Sequence, residues 1–115
     1  MAHGTDDVLV STRATEQYYE RVVQTMGAAN VKNFARYYEV PGYGHAASTV
    51  FNANWDSLRA LDQWVAAGTV PTAQVVSDAA GVPGRTRPLC EYPTWPRYNG
   101  TGDVNKAESF GCVTQ

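Results

Sequence analysis

The sequence predicts an α/β fold that forms the edge of a larger, mostly parallel sheet. Three observations lead there. Two helix-period patterns alternate with short apolar, strand-like runs. Each strand-like run is followed by a glycine-containing loop that carries an ionisable side chain. Only two full strands are countable in the first half of the chain, and an open parallel pair cannot cover both of its faces. The expectation is two or three strands and two main helices over residues 1–72. An irregular tail over residues 73–115 packs on that core.

Element by element, the chain opens on a strand end and an acidic loop, "HGTDD", before the apolar "VLV" of Val8 to Val10. Residues Thr12 to Met26 then read as a helix. Thr12 is the candidate cap, and Tyr18, Tyr19, Val22, Val23 and Met26 recur on one face. Gly27 suits the residue that ends a helix in a left-handed conformation. Phe34 to Val40, "FARYYEV", reads as an aromatic-rich strand closed by Pro41. The turn "PGYGH" follows, with Gly42 and Gly44 beside His45. A second helix is expected from Trp55 to Ala67, capped by Asn54 and stopped by Gly68, with Leu58, Leu61, Trp64 and Val65 on its apolar face. "AQVVSD" is one short strand. The remainder holds four of the six prolines and reads as coil, turns and short extended pieces.

Bulk properties narrow the function classes. The chain has 115 residues, which suits one domain or part of one. A net charge of −2 with no basic run gives no electrostatic ground for binding nucleic acid or an anionic membrane surface. No apolar stretch reaches the length of a membrane span. The first residues have neither the positive segment nor the long apolar segment of a signal peptide. The chain begins almost inside a structural element, so the expectation is a natural sequence that extends upstream of Met1. An incomplete sheet leaves a strand edge and an apolar helix face free, which predicts self-association.

Two cysteines, Cys90 and Cys112, stand in the tail as free thiols or as a bridged pair. Neither belongs to a C-x-x-C motif or has a histidine nearby, and a metal site would need more ligands. A bridge is the better reading. It would close a loop of roughly 20 residues and contribute about 3 kcal/mol. It would also imply an oxidising compartment.

The chemistry-bearing residues sit in the two loops. In α/β proteins, reacting groups gather in loops beyond the carboxyl ends of parallel strands. One loop here carries Asp6 and Asp7, the other His45, with room for one helix and one strand between them. An aspartate that accepts a hydrogen bond from one imidazole nitrogen frees the other to take a proton from a hydroxyl. That is two thirds of a nucleophilic triad, in the order acid then histidine that closes α/β-hydrolase sequences. Neither cofactor nor metal is required by this chemistry.

Longer stretches carry a resemblance. "HGTDDVLVSTRATEQYYERV" at 3–22, "YEVPGYGH" at 38–45, "WDSLRALDQWVAAGTVP" at 55–71 and "RTRPLCEYPTWPRYNGTGDVNKAESFGC" at 85–112 resemble the C-terminal part of the tannase and feruloyl esterase family of serine carboxylesterases. The resemblance implies the C-terminal edge of an α/β-hydrolase sheet and a disulfide joining Cys90 to Cys112. It implies Asp7, three residues after Gly4, as the triad acid and His45 as the general base. Val10 falls where the loop would wall the pocket for the acyl group. A secreted or periplasmic location and an aromatic ester as substrate, hydrolysed once a serine-bearing part completes the site, are further implications.

Two departures stand out. Many family members have a cysteine after the histidine, bridged to one beside the nucleophile; here that residue is Ala46. No G-x-S-x-G occurs anywhere, and the lid region of the family has no counterpart in the chain. Ser48, close to His45, is the candidate replacement nucleophile in a minimal hydrolase, though it would have to fold back. The alternative to an esterase part is a non-catalytic remnant or binding module of the same fold. Asn99-Gly100-Thr101 matches a glycosylation sequon, usable only in a eukaryotic secretory route, and an ordinary turn is the better reading. "GTGD" at 100–103 holds a single carboxylate, and Trp55 and Trp64 have core spacing on a helix.

Overall fold

The computed structural model describes residues 1–114. Strand β1 (Ala2–Gly4) leads into helix α1 (Thr12–Met26), followed at once by the short helix α2 (Ala28–Val31) and strand β2 (Tyr38–Val40). Then come β3 (Ala53–Asn54), α3 (Ser57–Ala67), β4 (Val75–Asp78), β5 (Thr86–Pro88), β6 (Thr94–Tyr98), a 3-10 turn (Ala107–Ser109) and β7 (Phe110–Thr114). β1 and β2 run parallel, with Ala2 beside Tyr38 and Gly4 beside Val40. β3, β4 and β5 form an antiparallel sheet, and β6 pairs with β7 in a hairpin.

The parallel pair is joined through α1, the β-α-β grammar of the sequence. β2 divides the core because its side chains alternate between faces. Tyr38 and Val40 pack with Phe51, Val76 and Leu89. Tyr37, on the opposite side, packs with Tyr19 and Val31 beneath α1. Tyr37 is fully buried, and its hydroxyl donates to Glu39 Oε1 at 3.0 Å. Burying an aliphatic or aromatic side chain contributes about 1.5–3 kcal/mol, so these two small clusters carry much of the stability.

Several expectations shift in detail. α1 has the expected bounds, but Ser11 caps it, its hydroxyl accepting from the Ala14 amide. Thr12 instead donates its hydroxyl to the Gly4 carbonyl at 2.8 Å, tying the helix start to the end of β1. The buried stripe of α1 is narrower than expected: Tyr19 is buried, whereas Tyr18 and Met26 are exposed. Gly27 takes a positive φ of 83° but an extended ψ, so a second helix follows rather than a full stop. The strand expected from Phe34 begins only at Tyr38. The Phe34 and Ala35 amides both donate to the Val31 carbonyl and continue the turn of α2.

α3 starts two residues later than expected. Asn54 is spent in β3, and the Asp56 carboxylate caps the helix by accepting from the Arg59 amide at 3.0 Å. Gly68 ends α3 in the left-handed region, as its position implied. Ala60 is the residue of α3 that is buried, while Leu58, Leu61 and Val65 point to solvent. In the tail, the extended pieces pair into β5, β6 and β7, and the Cys90–Cys112 disulfide ties the middle of β7 to the chain after β5. Among the described residues no helix is long and apolar enough to cross a membrane.

Candidate active site

Gly4 ends β1, and the chain turns sharply to bring Asp7 across to the loop that follows β2. The Thr5 amide donates to the Val40 carbonyl at 3.1 Å and the Asp6 amide to the Tyr43 carbonyl at 3.0 Å. The Gly42 amide returns a bond to Thr5 Oγ1 at 3.1 Å. Gly4 permits this close approach: a Cβ there would lie 2.1 Å from the Tyr43 carbonyl oxygen. The two loops are therefore laced together by backbone bonds before any side chain meets.

Across that seam Asp7 and His45 meet. Asp7 Oδ2 lies 2.9 Å from His45 Nδ1. Asp7 Oδ1 accepts the Leu9 and Val10 amides, each at 2.9 Å. The Val10 amide, the His45 side chain and the Leu9 amide together hold the Asp7 carboxyl down at about 2, against the opposing effect of desolvation. An ionised carboxylate only accepts, so Nδ1 of His45 carries the proton and Nε2 keeps its lone pair. The side chain of Asp7 is 5% exposed and that of His45 52%. The acid is enclosed and the imidazole opens outward, beside a cavity of about 360 Å³.

That cavity is lined by Val10, Tyr43, His45 and Trp55 among others, so Val10 and the imidazole face the same space. Tyr43 also steadies the histidine loop, its hydroxyl donating to the carbonyl of Ala46, the residue after the imidazole, at 3.1 Å. Trp55 donates its indole N–H to Gln74 Oε1 at 3.0 Å and meets Tyr38 edge-on, so it packs as well as lines. Trp64 stacks under Arg36, away from the site.

The serines lie elsewhere or are committed. Ser48 donates its hydroxyl to the Gly42 carbonyl at 2.5 Å and accepts the Val50 amide at 3.0 Å. Its proton therefore goes to a backbone carbonyl of its own turn. Ser109 is buried beside the 3-10 turn, and Ser77 donates weakly to the Asn54 carbonyl. The cysteines are bridged and lie in the tail. Among the described residues no group of three or more His, Cys, Asp and Glu side chains is arranged to hold a metal ion.

One neighbour escaped sequence reasoning. His3 Nε2 lies 3.3 Å from the same Asp7 Oδ2 that meets His45. Its sequence signal was faint: it is the other of only two histidines, and it stands four residues before Asp7.

The sequence profile described as "Tannase and feruloyl esterase" matches residues 1–113. An uncharacterized esterase of Agrobacterium fabrum is 47% identical over 112 residues, which cover 96% of this chain and 20% of that protein. Mono(2-hydroxyethyl) terephthalate hydrolase of Piscinibacter sakaiensis is 40% identical, with 96% of this chain and 19% of that protein covered. Among solved structures, feruloyl esterase B from Aspergillus oryzae superposes with a TM-score of 0.81 at 26% identity, covering 97% of this chain and 26% of that one. The chain thus spans about a fifth of the length of these two curated relatives.

Proposed function

The chain belongs to the tannase and feruloyl esterase family, and on that premise we propose that it supplies the acid and the base of a serine ester hydrolase acting on aromatic-acid esters. Asp7 is the acid and His45 the base, and the serine comes from outside these 115 residues. The reading rests above all on the 2.9 Å bond between Asp7 Oδ2 and His45 Nδ1, with the far side of the imidazole open.

The steps follow from that arrangement. His45 Nε2 takes the proton of the serine hydroxyl as its oxygen attacks the ester carbonyl. Asp7, ionised, stabilises the resulting imidazolium through the Nδ1 proton. Collapse of the tetrahedral intermediate breaks the bond to the alcohol oxygen, and His45 returns its proton to that oxygen. Water then repeats the cycle on the acyl-enzyme: His45 takes its proton, the acid is released, and the serine is reprotonated.

An aromatic acyl group is favoured for two reasons. The names of two relatives refer to terephthalate and feruloyl esters, both of aromatic acids. The cavity at His45 offers Val10 and the aromatic rings of Tyr43 and Trp55 as walls. The disulfide supports an oxidising location, outside the cytoplasm.

A chimera tests the proposal. This chain replaces the matched segment of the Piscinibacter sakaiensis hydrolase, and release of terephthalate from mono(2-hydroxyethyl) terephthalate is followed. The chimera is expected to turn over. His45→Ala is expected to lower kcat by at least roughly 10³-fold, the scale on which loss of a triad member acts. Equal turnover by the His45→Ala chimera refutes the role. A folded chimera without turnover favours a non-catalytic module.

A further inference from the structure

His3 performs none of the steps above, yet it is built into the site. Its side chain is 11% exposed. Its Nε2 faces two oxygens that only accept, the Val10 carbonyl at 3.2 Å and Asp7 Oδ2 at 3.3 Å. Nε2 therefore carries a proton. Its Nδ1 lies 2.8 Å from Thr15 Oγ1 on α1, whose hydroxyl donates to it.

We propose that His3 is a positioning residue for the acid loop: braced by Thr15, its Nε2–H holds the Val10 carbonyl and flanks the Asp7 oxygen that meets His45. This rests on the reading of Asp7 and His45 as acid and base. The loop needs such a brace because it packs poorly. Val8 is 92% exposed, Leu9 75% and Val10 46%. What fixes Val10 is polar. Its amide donates to Asp7 Oδ1 and its carbonyl accepts from His3, so one peptide on each side of the residue is pinned. Both anchors of His3 sit on regular elements, β1 and α1, which makes the brace stiffer than the loop it holds.

The charges around His3 favour this tautomer. Asp7 and, behind it, His45 face its Nε2 edge from the two loops. Glu39 is its register partner on β2, and Glu16 follows Thr15 on α1. Burial raises the Glu39 carboxyl above its ordinary range, and Glu16 beside it adds to the effect. The carboxylate held lowest, Asp7, is on the side where the Nε2 proton points.

Nitrogen NMR of the 115-residue chain at neutral pH tests the proposal, because only two imidazoles are present. In the unmutated chain His3 is expected as the Nε2–H tautomer and His45 as the Nδ1–H tautomer. In His3→Ala, the His45 tautomer is expected to become mixed. Hydrogen exchange of the Leu9 and Val10 amides should accelerate about tenfold, while the Val31 amide in the core keeps its rate. His3→Gln, whose amide nitrogen reaches to the same place, should restore both. A general structural role would instead speed Val31 along with the loop. An unchanged His45 tautomer and unchanged loop exchange in His3→Ala overturn the proposal. So does finding the His3 proton on Nδ1 in the unmutated chain, which needs no variant to fold. If Asp7→Asn leaves the His45 tautomer as it was, the triad reading itself fails and takes the proposal with it.

Discussion

Gly4→Ala is the most telling single perturbation of this site. φ is not the issue at Gly4; the added methyl is. Its carbon would lie 2.1 Å from the Tyr43 carbonyl oxygen, 2.6 Å from the Tyr43 carbonyl carbon and 2.8 Å from the Gly44 oxygen. All three are backbone atoms, so no side chain can swing away. Ordinary contact begins near 3.4 Å, and the histidine loop must retreat by about 1.3 Å if β1 stays in place. The Asp6 amide to Tyr43 carbonyl bond, now 3.0 Å, and the Asp7–His45 bond, now 2.9 Å, both cross that seam. A retreat of that size takes the second beyond hydrogen-bond reach. Overpacking of this kind costs about 1–3 kcal/mol in stability. Misplacing a catalytic pair by an ångström costs on the order of 10²-fold in rate. In the chimera, Gly4→Ala is therefore expected to lower kcat about a hundredfold. In the isolated chain it should scramble the His45 tautomer. Undiminished turnover with the Nδ1–H tautomer intact would show that the two loops are not held by this contact.

Further expectations concern stability. Reducing the Cys90–Cys112 disulfide, which closes a separation of 22 residues, should destabilise the chain by about 3 kcal/mol in urea melts. A loss below about 1 kcal/mol would mean that the β6–β7 hairpin stays docked without its tether. Acid titration carries a signature of Asp7. Its folded value is lowered to about 2 from an ordinary 3.8, so its stabilising contribution is fully present above pH 3.8 and vanishes as pH falls through about 2. Asp78, tied to the Gly81 and Val82 amides and to Arg85, is lowered as well and shares this acid window. Asp7→Asn should consequently flatten the acid slope of stability without abolishing it. An acid slope identical to that of the unmutated chain would show that Asp7 is not held ionised by its partners.

Local signals explain why much of the fold was legible. α1 carries its hydrophobic stripe within fifteen residues and has Gly27 directly after them, and its bounds follow from those alone. Gly68 and the short strand β4 were equally local. The cap of α3 was misjudged because Asn54 and Asp56 are both good caps, and only pairing of Asn54 with Ser77 decided between them. β2 came out shorter than its aromatic run because α2 had already claimed the amides at its start. The solvent-facing side of α3 was not legible at all. Its periodicity names an apolar face, and nothing in a periodicity says what lies opposite.

The same division holds at the site. Residue type, order along the chain and the glycines beside Asp7 and His45 were written in the sequence, since each is a matter of neighbours in the chain. That the two loops share a seam about 1.3 Å too tight for a methyl, that Ser48 spends its hydroxyl on its own turn, and that His3 reaches the acid from β1 were decided by packing. Those contacts depend on distances between segments far apart in the chain, and such distances exist only once β1, α1 and β2 are stacked against one another.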